Sequence, residues 1–173
     1  IGTQAFSGCS SITSVELNSN AIVSATYSSK NKLSTIFGSQ VKEYIISNNI
    51  TEIGNYTFYN CSSLISINLP ESVTSIGNYA FQNCSSLTSV TIPESVMSIG
   101  YYAFSGCKRL VSIAIPESVT SIESYAFEGC SSLTSITIPE GVTSIESYAF
   151  YGCSSLTSII IPENVMSIGR AAF

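Results

Sequence analysis

The sequence predicts a mainly β, right-handed solenoid with a parallel sheet, second short strands and short helical or 3₁₀ turns. Three observations predict it. Cys61, Cys84, Cys107, Cys130 and Cys153 stand 23 residues apart, and a fixed period of that length marks one supersecondary unit repeated and stacked. A proline recurs at one phase, as Pro70, Pro93, Pro116, Pro139 and Pro162. Its missing N–H ends a strand and turns the chain. Between these markers, short apolar stretches alternate with polar residues, as in strands with one buried face.

The coil 92–114 shows the local logic of each element. Leu110, Ile113 and Ile115, with Ser112 and Ala114 between them, read as a short strand that ends at Pro116. After that corner, Val119 and Ile122 give a second brief extended stretch. The segment from Tyr125 to Cys130 turns Ala126, Phe127 and Cys130 inward and is too short for an independent helix, so a single helical or 3₁₀ turn is expected. Ser131 and Ser132 then suit a polar turn into the next strand. Eight positions of this coil are expected to be buried: Ile92, Val96, Ile99, Ala103, Phe104, Cys107, Leu110 and Ile113. A lone coil buries too little apolar surface to offset its ordering entropy, so coils must stack to fold.

Strand starts at Ile12, Val41, Leu64, Leu87, Leu110, Leu133 and Leu156 predict seven strands in one continuous sheet. One coil is longer. Cys9 and Cys61 are 52 residues apart, one coil of 23 and one of 29. This irregular coil covers about 18–46, with its extra length between Asn18 and Asn31, around Tyr27, Ser28 and Ser29. In it Ile36-Phe37 takes the Ala-Phe place, Gly38 the Cys place and Ser47 the Pro place. Residues 1–173 form a single domain. Ile1-Gly2 opens at the phase where Ile168-Gly169 closes, so the chain is expected to be a segment of a longer protein.

Composition removes several function classes. The chain is 45% hydrophobic and 10% charged, with a formal net charge of -5 and no His or Trp. That is too apolar for disorder, and six basic residues give no footprint for nucleic acid. No apolar run is long enough for a transmembrane segment. Without His there is no Ser-His or Cys-His pair, and evenly spaced cysteines do not make a zinc site. No catalytic residue, metal site or cofactor is expected.

The cysteines follow the repeat, one per coil, and read as a column of buried free thiols. Adjacent coils bring their Cα atoms within disulfide range, but identically directed Cβ vectors do not suit the bridging dihedral. Two further columns are exposed candidates. Glu71, Glu94, Glu117, Glu140 and Glu163 follow the corner prolines and form either a solvated charged edge or a row of oxygen ligands for a cation such as calcium. Tyr56, Tyr79, Tyr102, Tyr125 and Tyr148 form either a stiffening stack or an aromatic stripe for a protein or glycan. Lys108-Arg109 replaces Ser-Ser as an isolated basic spot. Asn49, Asn55, Asn60 and Asn83 begin glycosylation sequons, of consequence only in a eukaryotic secretory host.

The pattern Leu87-x-x-Val90-x-Ile92-Pro93-x-x-Val96-x-x-Ile99-Gly100-x-x-Ala103-Phe104-x-x-Cys107 resembles the BspA-like leucine-rich repeat of bacterial and protist surface proteins, and the resemblance covers the whole chain. It implies a leucine-rich-repeat solenoid whose strand sheet lines the usual binding face. The residues there are Ser14, Glu16, Glu43, Ile45, Ser66, Asn68, Ser89, Thr91, Ser112, Ala114, Ser135, Thr137, Ser158 and Ile160. They read either as a broad ligand-binding ladder or as filler with β propensity. The resemblance also implies an extracellular or cell-surface, non-catalytic adhesion module. Its partner would be an extracellular protein or glycan, from host matrix or another cell. The alternative is end-to-end self-association into a filament, since terminal coils carry unpaired strand edges.

Overall fold

The computed structural model describes residues 2, 4–6, 8–28 and 32–173. The repeat builds a stacked β-solenoid in which each coil between Ser66 and Cys153 contributes a first strand, a corner, a second short strand and a chain of turns. First strands are β1 (Ser14–Leu17), β2 (Glu43–Ile46), β3 (Ser66–Asn68), β5 (Ser89–Thr91), β7 (Ser112–Ala114) and β9 (Ser135–Thr137). Second strands are β4 (Ser75–Ile76), β6 (Ser98–Ile99), β8 (Ser121–Ile122), β10 (Ser144–Ile145) and β11 (Ser167–Ile168). All pairs are parallel and in register at the repeat, as in Ser66↔Ser89 and Ser112↔Ser135.

The expected single sheet of seven strands is corrected in two respects. The first-strand face forms one ladder of β1, β2, β3 and β5 and a separate ladder of β7 and β9, and no strand forms at 156–160. Strands of only three residues leave each ladder a few hydrogen bonds, so small offsets between coils interrupt it while side-chain stacking continues. The second face is likewise divided, into β4-β6 and β8-β10-β11.

Each corner proline accepts a turn hydrogen bond three residues on, for example from Val96 N–H to Pro93 at 3.1 Å. Ser47 accepts the same bond from Ile50 at 3.0 Å, which places it at the proline corner. The expected helical turn before each cysteine is instead a chain of turns with a two-residue alternation. Ala80, Gln82 and Cys84 donate within the coil, three residues back, whereas Tyr79, Phe81 and Asn83 donate to Tyr101, Ala103 and Ser105 of the next coil. The same backbone therefore closes its own coil and fastens the next.

That alternation needs left-handed residues. Tyr79 and Asn83 have φ of 58° and 59°, and their equivalents in the neighbouring coils share this conformation. The second position is Asn60 or Asn83 in early coils and Gly106, Gly129 or Gly152 in later ones, the residue types that tolerate it best.

All eight expected positions of the coil 92–114 are buried. Their centre is a phenylalanine column, Phe58, Phe81, Phe104, Phe127, Phe150 and Phe173, with successive ring centroids 5.0–5.6 Å apart and nearly parallel. The long coil fits this column by different means. It carries two short helices, α1 (Asn20–Val23) and α2 (Leu33–Phe37), while Ile1, Ser29, Lys30 and Asn31 lie outside the described residues. Phe37 stacks on Phe6 at 5.0 Å, so Ile36-Phe37 does occupy the Ala-Phe place. The Tyr44 ring packs edge-on against Phe37 at 6.5 Å and Phe58 at 5.1 Å, linking the long coil to the phenylalanine column.

Candidate functional site

The first-strand face presents the residues that the repeat pattern points outward. Ser66, Asn68, Ser89, Thr91, Ser112, Ala114, Ser135, Thr137 and Ser158 are all exposed, while Ile67, Val90, Ile113 and Ile136 between them are buried. This follows from the two-residue period of a strand; Ser158 holds the equivalent place in the coil where no strand forms. Ser14 donates to Glu43 at 3.1 Å and Thr91 to Asn68 at 3.0 Å, so side chains link across coils without filling the surface. Ile45 and Ile160, 49% and 81% exposed, add apolar contact area at two separate coils. Short polar side chains on a regular backbone make a shallow face suited to a broad contact rather than an enclosing one.

The tyrosine column is built differently. Tyr56, Tyr79, Tyr102, Tyr125 and Tyr148 stack with centroids 4.6, 5.1, 4.3 and 4.8 Å apart and interplanar angles of 6–9°. Their ring faces cover one another, and each tyrosine is held at positive φ between 55° and 61°. Stacking at about 0.5–1.5 kcal/mol per pair offsets a backbone conformation that costs a bulky residue about 1–2 kcal/mol. A sugar stacks on a free ring face, and the inner rings offer none, which favours the stiffening reading of this column. The repeat pattern did not include Tyr59, Tyr101 and Tyr151, which pack edge-on against it, Tyr101 at 4.4 Å from Tyr102. Burial, then the neighbouring phenols Tyr101 and Tyr125, raise the Tyr102 pKa.

The thiols form a hydrogen-bonded column. All six cysteines are free, Cys9 exposed and the other five buried. Cys84, Cys107, Cys130 and Cys153 each donate to the carbonyl of Phe58, Phe81, Phe104 and Phe127 in the coil before, at 3.1–3.3 Å. Cys61 lies instead 4.0 Å from the Tyr44 hydroxyl, which stands in for the carbonyl that the long coil does not supply. Burial pushes the Cys61 and Cys107 thiols up to about 12, so they stay protonated and unreactive.

The glutamates after the corner prolines are exposed. Glu94 accepts a hydrogen bond from the Glu117 N–H at 3.2 Å. Among the described residues no group of three His, Cys, Asp or Glu side chains is placed to hold a metal ion. The serines beside this column have a role that periodicity did not indicate. Ser72, Ser95 and Ser118 donate to Ile50, Val73 and Val96 of the preceding coil. Their spacing was visible in the sequence, but a small polar residue at a turn has many equivalent uses.

The BspA-type leucine-rich repeat model matches residues 1–108 and 74–173 in six copies, which together span the chain. The chain belongs to the BspA-type leucine-rich repeat family. Among solved structures, this BspA-type chain is similar to a leucine-rich repeat protein of T. pallidum, with 31% identity over 90% of its length and a TM-score of 0.74. It is also similar to a leucine-rich cell surface protein of Faecalibacterium prausnitzii, with 34% identity over 93% of its length and a TM-score of 0.78. It covers 66% and 44% of those two chains. The pneumococcal vaccine antigen PcpA shares the fold at 23% identity and a TM-score of 0.52, over 79% of this chain and 43% of the antigen. No curated protein matches the sequence significantly. Repeats of the BspA type are generally non-catalytic binding scaffolds, and no helix among the described residues is long and apolar enough to cross a membrane.

Proposed function

We propose that this BspA-type chain is a non-catalytic, extracellular or cell-surface adhesion module that binds a protein partner through its first-strand face. The observation that carries the reading is the exposed ladder of Ser66, Asn68, Ser89, Thr91, Ser112, Ser135, Thr137 and Ser158 over a buried, stiff core. A rigid face loses little conformational freedom on binding, and contacts repeated from coil to coil add up to useful avidity. The cell surface description of the F. prausnitzii relative supports the compartment.

Pull-down from extracellular matrix extracts, with Ser89→Arg and Ser135→Arg variants alongside, tests the site. Capture lost in both variants while their melting temperatures stay unchanged is the expected result. Capture that persists in both moves the binding surface elsewhere. Light scattering separates this from end-to-end assembly: the module stays monodisperse, whereas growth with concentration would favour the filament.

A further inference from the structure

Charge is not spread evenly around the solenoid. The chain has eleven acidic residues, all glutamates, yet none lies in the turn that follows each buried thiol and leads into the next first strand. Those turns read Ser62-Ser63, Ser85-Ser86, Lys108-Arg109, Ser131-Ser132 and Ser154-Ser155. The irregular coil brings Lys42 onto the same side, so Lys42, Lys108 and Arg109, three of the six basic residues, gather where no acid balances them. Lys42 and Arg109 line one shallow groove with Ser63, Ile65, Ser86 and Thr88. Glu43, next to Lys42 in sequence, faces the first-strand side and accepts a hydrogen bond from Ser14.

We propose that this groove binds an anionic polysaccharide, laid across the coils with its carboxylate or sulfate groups on Lys42 and Arg109. The two cations belong to coils three steps apart, roughly 14 Å at about 4.8 Å per step. One cation therefore stands near each end of the groove. Neither makes an ion pair with a described residue. The Ser63 and Ser86 hydroxyls between them make no side-chain hydrogen bond to another described residue, and each both donates and accepts, as sugar hydroxyls require.

The backbone of the floor argues against an acidic peptide. Ile65, Thr88 and Val111 already donate their N–H groups to the carbonyls of Lys42, Ile65 and Thr88 in the coil-to-coil ladder, at 3.1, 2.8 and 3.4 Å. A peptide main chain therefore finds no strand edge to extend, whereas a polymer carrying its own hydroxyls and anions uses what is free. Acids on other sides of the coil are screened beyond about 10 Å at 0.1 M salt, so the net charge of -5 does not cancel the local attraction. This groove lies beside the first-strand face and goes beyond the adhesion reading, so each stands or falls by its own experiment.

The test is retention of the full chain on immobilised heparin, with neutral dextran and polyglutamate columns in parallel. Arg109→Ser and Lys42→Thr restore the residues that the repeat uses in the neighbouring coils, so the fold is preserved. Each is expected to weaken heparin binding about tenfold, the loss of one charge-assisted contact, while Arg170→Ser on another side has no effect. Wild-type retention should also fall steeply with salt, a readout that needs no substitution. No retention on heparin overturns the proposal, as does equal retention on polyglutamate, which would assign the groove to acidic peptides. An equal loss in Arg170→Ser would reduce the binding to general charge attraction and overturn it as well.

Discussion

Raising the pH from 8 to 10 should strongly destabilise this protein through its thiol column. Cys61, Cys84, Cys107 and Cys130 are fully buried, and loss of solvent raises all four pKa values, to about 12 for Cys61 and Cys107 from an ordinary 9.0. In the unfolded chain these thiols ionise near 9, while in the fold they remain protonated, so between pH 9 and 12 the unfolded state is selectively stabilised. At pH 10 the difference is about 1.4 kcal/mol per thiol, so about 5–6 kcal/mol for these four. Total stability of a domain is about 5–15 kcal/mol, so the loss is large. Stability should be flat from pH 6 to 8 and fall across 9 to 10. Urea unfolding followed by circular dichroism, under reductant at each pH, measures the slope. Cys153, raised by burial to about 11, adds a fifth group in the same window, so Cys107→Ala should lower that slope by about a fifth. The tyrosines add the same sign only above their ordinary 10.0, which leaves the lower window to the thiols. A midpoint constant through pH 10, or thiolate absorbance rising near pH 9 in a folded Cys9→Ala variant, where only the buried thiols remain, would refute the buried-thiol account.

Other perturbations probe the remaining columns. A thiol reagent at pH 8 should label Cys9, the exposed cysteine, quickly and the five buried thiols only at the rate of unfolding; fast labelling of more than one would contradict the packing. Phe104→Ala, removing a ring stacked at 5.1 and 5.6 Å on its two neighbours, should cost about 3–5 kcal/mol by urea unfolding. Tyr102→Ala should destabilise more than Tyr102→Gly, by about 1 kcal/mol, because φ is 55° there and glycine relieves the left-handed backbone. The opposite order in thermal melts would mean that the tyrosine does not hold a strained turn.

The candidate site was only partly legible in advance. The outward residues Ser66 to Ser158 follow from strand alternation alone, and the structure leaves them exposed. Tyr56 to Tyr148 were visible as a column, yet their value as a glycan stripe turned on whether ring faces are free, and a list of positions does not contain that. Lys108-Arg109 stood out as two cations among serines. Their companion Lys42 did not, because it lies in the long coil, whose phase depends on how α1 and α2 absorb the extra residues.

Period, coil composition and core membership belong to the sequence by itself, because a side chain repeated every 23 residues meets its own copies whatever the coil's detailed path. The tertiary structure decided how the coils are fastened. It selected two divided ladders over one sheet, left-handed tyrosines over a helical turn, and thiols donating to Phe carbonyls of the coil before. The physical reason is that these bonds form between coils, where the exact placement of one coil on the next chooses the partner. Hydrophobic periodicity reports only which side of the chain faces inward.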